Sequence, residues 1–432
     1  MQGQPLKHKE LQVFSNEDDR FVEIQAGVPL IEYRESVLCP YIIIDISVID
    51  TGSALPAEKS RGTIGLLESI KLQGTEKFKL KLEDMNGNRI DLSDDNDLRV
   101  AKTVIGKTGV RESSCFVRVV SKEAFDNCLN ERRMVDNYIG KGDDIIFQAL
   151  RNLGTEKNRF FDTTKNEIQF NGDNRYPFEM CLDVQKVSVH EELDSAGYLF
   201  WETSKGYNFK SLDNMFNTKD KVIKSFEETG FASDQISPGF DAKILKSNFV
   251  LINDMLKQFE EGAYNAELDL FDLLGKDNKF QLQERLTPGN GEPNDKKNII
   301  AGTVYPVLRE EYREKPTADL HRTKDDGQKV LSDGSLADVN DVSFDIVKTS
   351  LQSLQNYRQK FSSSLNIVID ADLSLNAGDL VFCKFAETAA VPFPEGSRKN
   401  SGIYMIADLC HYSTPTQAYT GLNLVRDSYG VK

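Results

Sequence analysis

The last part of the chain, residues 361–432, is a run of predicted strands, and it constrains the fold more than any other stretch. Leu365, Ile367 and Ile369 recur at every second position, which is the period of a strand with one buried face. Residues 376–379 predict a turn and 380–383 begin a new strand, so we expect a hairpin there.

Two further strands are predicted in this run, over residues 402–412 and 419–426. Turn signals at 395–397 and 413–415 separate them. Four sequential antiparallel strands close most of a small barrel, but they need earlier strands to complete it. We expect those strands near residues 197–240.

A second β-rich unit is predicted between Phe21 and Lys122. Its short apolar or alternating runs span residues 21–25, 28–33, 41–49, 66–71, 77–83 and 113–122. In 77–83 apolar residues alternate with lysines, and Asn86-Gly87 then favours a primed hairpin turn. About a hundred residues of this kind indicate a small barrel or sandwich.

Residues 126–190 change character and predict a small α/β module. Residues 143–154 have the pattern of a compact helix, with Asp143 suited to the N-cap and Gly154 to the C-terminal stop. Residues 164–170 and 178–189 are interpreted as mixed strand and loop.

Between this module and the terminal strands, the pattern alternates again. Residues 197–210 predict an aromatic hairpin with its turn at Lys205-Gly206. Residues 242–261 carry apolar side chains at helical spacing, and 341–360 predict a last helix. The charged, turn-rich stretch 275–340 is interpreted as a long exposed loop region.

The length of 432 residues exceeds what one hydrophobic core usually organises, so we expect two to four domains. The formal net charge is −15, which argues against a protein that grips nucleic acid, because neutralising phosphates requires clustered Lys and Arg. The six cysteines are dispersed, without a C-x-x-C pair, so neither a zinc site nor a disulfide scaffold is indicated. Residues 1–7 are polar and lack the apolar run that is typical of a leader, so we expect synthesis in a reducing cytoplasm without membrane insertion.

Local motifs give no catalytic, cofactor-binding or metal-ligating residue, and we predict none. Gly106-Lys107-Thr108 lacks the preceding glycine and the following helix of a phosphate-binding loop. Asp84, Asn86 and Asn88 have the spacing of a calcium loop, but Arg89 occupies the position where glycine is needed, so a hairpin tip is favoured.

Isolated titratable residues receive structural interpretations. The four histidines form no ligand pair, and His411 at a strand end is expected to be structural. Adjacent acids, at Glu191-Glu192, Glu260-Glu261 and Glu310-Glu311, are interpreted as solvated faces. Carboxylates distant in sequence can still meet in space, as in a glycosidase.

Three blocks of sequence, taken together, resemble a known family. They are residues 31–52, 196–211, and 401–406 with 422–428. These blocks are similar to the central baseplate hub subunit of contractile-tailed bacteriophages of the T-even type. Residues 275–340 match no part of that family.

The resemblance implies an α+β, mainly β fold with two tube-type antiparallel β-barrels, an intervening α/β module and a helical and loop insertion. The corresponding domains are 1–125 for the first barrel, 126–195 for the module, 196–240 with 362–432 for the second barrel, and 241–361 for the insertion. Three copies would present six barrels and so match a sixfold tail tube to a threefold spike.

The resemblance also implies a structural, non-enzymatic virion protein without cofactors. Its partners would be two further copies of itself, a spike protein, tail tube or tube-initiator proteins, and wedge proteins of the baseplate. DNA would pass through the ring during genome ejection without specific binding, and an acidic lumen would repel its phosphates. Assembly would take place in the cytoplasm of the host bacterium.

Two alternatives stay open on the sequence. One is the hub of another contractile injection system, in which hub and spike are commonly fused; here the spike is expected on a separate chain. The other is a tail-associated peptidoglycan hydrolase, which a zymogram on bacterial cell walls distinguishes from a structural hub. A generic β-sandwich binding protein is disfavoured by the extent of the resemblance.

Overall fold

The structure of the protein is a computed structural model. It describes residues 3–17, 20–51, 55–56, 63–65, 70, 72–94, 97–107, 109, 112–193, 195–216, 221–229, 236–252, 254–261, 266–272, 301, 309–313, 318–324, 328–330, 334–338, 346–386, 397 and 399–430. Within them the protein is mainly β with antiparallel sheets and a few helices, which confirms the predicted α+β, mainly β class.

Among its described residues, the amino-terminal β unit contains ten strands. They are β1 (Lys7–Phe14), β2 (Phe21–Glu23), β3 (Leu30–Ser36), β4 (Ile43–Asp50), β5 (Leu55–Pro56), β6 (Thr63–Ile64), β7 (Lys77–Glu83), β8 (Arg89–Leu92), β9 (Leu98–Lys107) and β10 (Ser113–Ser121). The main order is β3-β4-β10-β9-β7-β1-β2, and β8 pairs with β7. A 3-10 turn, Gln25–Gly27, follows β2.

Most predicted strands of this unit are confirmed. In β7, Phe78, Leu80 and Leu82 are fully buried, as the alternation predicts. Asn86-Gly87 turns the β7–β8 hairpin, with Gly87 at φ +85°. The strand predicted over 66–71 lies almost entirely outside the described residues; Ile70 alone is described, in helical conformation.

The α/β module contains helix α1 (Lys122–Asp126), β11 (Asn137–Lys141), α2 (Gly142–Leu153), β12 (Arg159–Phe161), β13 (Glu167–Asn171) and α3 (Pro177–Val187), with a 3-10 turn at Asn130–Arg132. Helix α2 and its left-handed stop at Gly154 are confirmed. The N-cap is Lys141, and Asp143 lies in the first turn instead. The strand and loop predicted for 178–189 are wrong, because Pro177 at the first helical position begins a helix there.

The aromatic hairpin is confirmed as β14 (Tyr198–Thr203) and β15 (Gly206–Ser211), followed by helix α4 (Leu212–Phe216). It pairs with β12 in a separate three-stranded sheet, not with the terminal strands. Both of its faces are buried. Tyr198 and Phe200 pack into the core of the α/β module, whereas Leu199 and Trp201 pack toward the terminal unit.

The terminal β unit closes into a barrel. Its strands are β16 (Val222–Glu227), β17 (Ala242–Lys243), β18 (Lys246–Ile252), β23 (Ser363–Asp370), β24 (Leu380–Lys384), β25 (Gly402–Ser413) and β26 (Ala418–Arg426). β24, β25, β26 and β23 pair in that order, and β16 pairs with β24. Residues 242–252 close the barrel, because β17 hydrogen-bonds to β16 and β18 hydrogen-bonds to β23.

This topology corrects two predictions. The helix predicted over 242–261 is strand up to Ile252 and helical only in α5 (Met255–Glu260), because barrel closure uses this segment. The hairpin predicted between residues 365 and 383 is also wrong: β23 pairs with β18 and β26, not with β24. Of the strands expected near 197–240, β16 is the one that joins this barrel in the part of that range that the structure describes.

The segment before the terminal strands contains β19 (Ala266–Asp272), helix α6 (Glu310–Arg313), β20 (Ala318–Lys324), β21 (Gln328–Val330), β22 (Leu336–Asp338) and helix α7 (Ile346–Lys360). β19 pairs in parallel with β20, whereas β21 pairs antiparallel with β22. The loop predicted for 275–340 is therefore wrong at residues 310–313, 318–324, 328–330 and 336–338, which form helix α6 and strands β20, β21 and β22. The turns predicted at 288–291 and 325–327 lie outside the described residues. Helix α7 confirms the last predicted helix.

Candidate assembly junction

The two β units meet along a single long strand, β25. Its first residues, Gly402–Met405, pair with β24. After an irregularity between Ile406 and Asp408, the rest of the strand pairs on the β24 side with β3 of the amino-terminal unit, while its other edge stays paired with β26. Apart from β5 and β6, which pair only with each other, the strands of the two units therefore form one continuous hydrogen-bonded sheet of fifteen strands.

Glu35 at the end of β3 is buried at the centre of this junction, with 3% of its surface exposed. Its carboxylate accepts hydrogen bonds from Tyr33 Oη at 2.6 Å, from the N–H of Ser204 at 2.7 Å and from the N–H of Ala377 at 2.9 Å. Burial raises the pKa of Glu35 to about 7, while these three donors favour the ionised form. One carboxylate thus joins β3, the aromatic hairpin and the loop before β24.

A second buried carboxylate, Glu202 in β14, joins the hairpin to the amino-terminal unit. It accepts from Ser121 Oγ at 2.5 Å and from the N–H of Ile42 at 3.1 Å. Lys157 bridges Glu202 and Glu123, with its Nζ 2.7 Å from an oxygen of each.

The protonation of this group follows from its burial and charges. Burial raises the pKa of Glu202, and the adjacent Lys157 opposes that rise. For Lys157, burial alone would lower the pKa, but Glu202 and Glu123 outweigh it and the pKa is raised. The lysine is therefore charged and compensates buried negative charge.

Trp201 fastens the hairpin to the terminal barrel. Its Nε1 donates to the carbonyl of Ala377 over 3.0 Å, and its ring is 1% exposed. Gly378 adopts φ +90° directly against the indole. This turn therefore needs glycine both for its backbone conformation and for space.

A third buried ionic group joins helix α7 to the end of β26. Lys360 Nζ lies 2.7 Å from Asp427 Oδ2 and 3.2 Å from Asp213 Oδ1. Burial lowers the pKa of Lys360, but Asp427 and Asp213 outweigh it and the pKa is raised. Three charged groups thus hold α4, α7 and the terminal strand together.

The open face of the sheet over the junction is concave and encloses about 430 Å³. Charged side chains beside this hollow are paired with one another. Asp45 accepts from Arg118 Nε at 2.7 Å and lies 3.1 Å from Arg34 Nη1. The charged groups of the junction are thus engaged in structural contacts.

The two sequence motifs that resemble phosphate-binding and calcium-binding loops either lie apart from this junction or support it structurally. Gly106 and Lys107 are the end of strand β9, and Thr108 lies outside the described residues. Asp84 caps its hairpin by accepting from the N–H groups of Asn86 and Asn88, and it also accepts from Leu373 N of the terminal unit. Within the described residues, no group of three or more His, Cys, Asp or Glu side chains is arranged to hold a metal ion.

His411 is buried, as its structural interpretation predicts. Its Nδ1 lies 2.8 Å from Thr420 Oγ1, and its ring stacks on Tyr33 with centroids 5.8 Å apart. Burial lowers the pKa of His411 to about 4. The ring is therefore neutral at physiological pH.

The sequence patterns did not predict the central residues of the junction, which are Glu35, Glu202 and Lys157. A signal existed for Glu35, because it continues the buried positions Ile31 and Tyr33 along β3. A carboxylate at a core-facing position needs buried donors. Which donors it finds depends on segments far away in sequence.

The blocks that carry the family resemblance converge here. The block 31–52 includes most of β3 and all of β4, 196–211 includes the aromatic hairpin, and 401–406 with 422–428 lie in or directly beside β25 and β26. The N–H of Val37, in the first block, donates over 2.9 Å to the carbonyl of Ala407, the residue directly after the segment 401–406.

No family model and no curated protein matches the chain. Solved structures do match it, among them two tail proteins. A 43 kDa tail protein of prophage MuSo2 from Shewanella oneidensis has 11% identity and a TM-score of 0.52, with 98% of each chain covered. A tail protein from Neisseria meningitidis MC58 has 9% identity and a TM-score of 0.52, with 97% of this chain and 96% of that one covered. The protein thus shares its fold with tail proteins over nearly its whole length.

Among the described residues, no helix is long and apolar enough to cross a membrane.

Proposed function

We propose that this protein is a structural component of a phage tail, the central baseplate hub, and that three copies form a ring. The observation that carries the proposal is the pairing of β3 with β25, which places two β units of one chain side by side in one sheet. Three copies then present six β units around an axis. Such a ring fits a sixfold tube on one side and a threefold spike on the other.

The fold shared with two tail proteins supports this assignment, as does the convergence of the resembling blocks at the junction. In the proposed assembly the partners are the spike, tail tube or tube-initiator proteins, and baseplate wedge proteins. The site of action is the virion tail, and assembly takes place in the cytoplasm of the host.

We also propose that the domains are 1–125, 126–195, 196–240 with 362–432, and 241–361, adjusted where strand pairing requires it. Residues 242–252 then belong with the terminal barrel and the aromatic hairpin with the α/β module. Limited proteolysis followed by mass spectrometry would test these boundaries.

The deciding experiment is the mass of the protein in solution, measured by light scattering on a size-exclusion column. A particle near three times the 48.7 kDa chain supports the ring. Each interface should bury more than about 2,000 Å², as obligate complexes do. A monomer at micromolar concentration would contradict the proposal.

The ring is proposed to pass DNA without binding it, in keeping with the net charge of −15. Retention of duplex DNA at physiological salt would contradict this. We propose no catalytic activity, because the buried acids of the junction are engaged as structural acceptors. Clearing of cell walls in a zymogram would favour a hydrolase instead.

A further inference from the structure

Strand β9 has an open edge over residues 102–107. β10 pairs with it along its whole length, but on the other side β7 reaches only Leu98 and Arg99. The backbone of Thr75 and Glu76 forms hydrogen bonds with Val100, so this edge of β9 is paired as far as Val100. Within the described part of the chain, nothing pairs with the β9 edge beyond that point.

The open edge also carries exposed apolar side chains. Val104 is 49% exposed and Ile105 is 56% exposed, and they project to opposite sides of the strand. An exposed apolar edge strand is a template for another strand, and natural proteins normally protect such edges. The lysines at its two ends, Lys102 and Lys107, are exposed as well.

Strand β19 has the complementary pattern. It forms a two-stranded sheet with β20, and among the described residues no strand pairs with its other edge. Its sequence combines three acids, Glu267, Asp269 and Asp272, with apolar residues and contains no basic residue. A sheet of only two strands gains stability from a third.

One antiparallel register pairs both lysines of the β9 edge with acids of β19, although it also places Asp269 opposite Ile105. It places Lys102 opposite Asp272, Val104 opposite Leu270 and Lys107 opposite Glu267. The five-residue spacing of the two lysines equals that of Glu267 and Asp272, so no other antiparallel register pairs both lysines with acids of β19. Opposite charges and apolar pairs facing each other stabilise antiparallel strands.

We propose that β19 of a second copy of this chain adds to the β9 edge of the first in this register. Within one chain the two strands lie in separate sheets, so a neighbouring copy supplies the pairing. The contact joins two different surfaces, and such contacts close into rings when the rotation allows. The inference rests on the proposed ring and names the strands that hold it together.

Cross-linking tests the register. The variant Val104→Cys with Leu270→Cys is made in a Cys128→Ser background, because Cys128 is an exposed thiol. A short bismaleimide should give covalent dimers and trimers on a denaturing gel. Each single cysteine variant in the same background serves as the control and should give neither.

The result separates this inference from the proposed function. A trimer by light scattering without a cross-linked ladder overturns the β9–β19 contact and leaves the ring standing. A protein that is a monomer at every concentration overturns both.

Charge reversal provides a second readout that does not depend on thiol geometry. Lys102→Glu with Lys107→Glu should weaken association by about tenfold, and adding Glu267→Lys with Asp272→Lys should restore it. Lys141→Glu with Lys186→Glu makes the same charge change on the α/β module and should have little effect. Equal weakening by both pairs, or failure of the restoring pair, overturns the contact.

Discussion

Gly378 lies against the indole ring of Trp201 so closely that a Cβ at position 378 would stand 2.4 Å from Trp201 Cζ2. The indole in turn is held by its bond to the carbonyl of Ala377. The turn before β24 and the aromatic hairpin are therefore fitted to each other, although they are far apart in sequence.

The first prediction concerns this fit. Gly378→Ala should lower the free energy of unfolding by at least about 2 kcal/mol, because a side chain is strained at φ +90° and also overlaps the indole. Gly87→Ala is the matched control: its φ is +85°, but nothing lies within 4 Å of the added Cβ, so only the backbone strain applies. Urea unfolding of both variants checks this. Equal losses would mean that the indole contact contributes nothing.

The second prediction concerns the pH dependence of Glu35. Its folded-state pKa of about 7 lies above the usual 4.5, so the native state binds the proton more tightly than the unfolded state. Its contribution to stability is then greatest below pH 4.5 and is lost as the pH rises through 7, by about 3 kcal/mol in all. The difference in unfolding free energy between the native protein and Glu35→Gln, measured from pH 5 to 8, should follow this curve. A flat difference would contradict it.

The third prediction concerns the buried lysine. Lys157→Met should cost about 3–5 kcal/mol of stability, because Glu202 and Glu123 lose the charge that compensates them. Lys186→Met, which breaks an exposed pair with Asp183, should cost less than about 1 kcal/mol. Thermal or urea unfolding at neutral pH distinguishes the two. Similar small losses of stability in both variants would show that Glu202 and Glu123 do not depend on the charge of Lys157.

The fourth prediction concerns His411, whose contribution to stability changes with pH in the opposite direction to that of Glu35. His411 has a pKa of about 4, below the usual 6.5, so the unfolded state takes up a proton first. The stability that it contributes is complete above pH 6.5 and is lost as the pH falls toward 4. His411→Phe should remove this part of the acid sensitivity. An unchanged acid limb of the pH profile would contradict the assignment.

Local alternation was sufficient to predict much of the fold. The strand β7 and the β7–β8 turn follow from apolar residues at every second position and from Asn86-Gly87. Helix α2 follows from its 3.6-residue period and the stop at Gly154. In these elements the sequence pattern and the three-dimensional surroundings agree.

Predictions failed where pairing between distant segments decides the structure. Leu245, Phe249 and Ile252 fit a helical stripe, yet the barrel uses Lys246–Ile252 as the strand that closes it. The β23–β24 hairpin failed for the same reason, because β26 takes the place beside β23. A single sequence does not show which distant strand is the partner.

The junction was predictable only in part. The resembling blocks marked the correct segments, and a carboxylate at the core-facing position 35 was visible in the alternation of β3. Its donors, Ser204 and Ala377, lie 169 and 342 residues away, so no local pattern could identify them. The same holds for Lys157, whose two acids come from different elements.

The twelve residues of β25 belong to both β units, so at this point the chain has no linker about which one unit could swing against the other. A torque on the terminal barrel therefore passes into the amino-terminal sheet through a single backbone and its hydrogen-bond ladders. The angle between the two β units is then set when β25 folds.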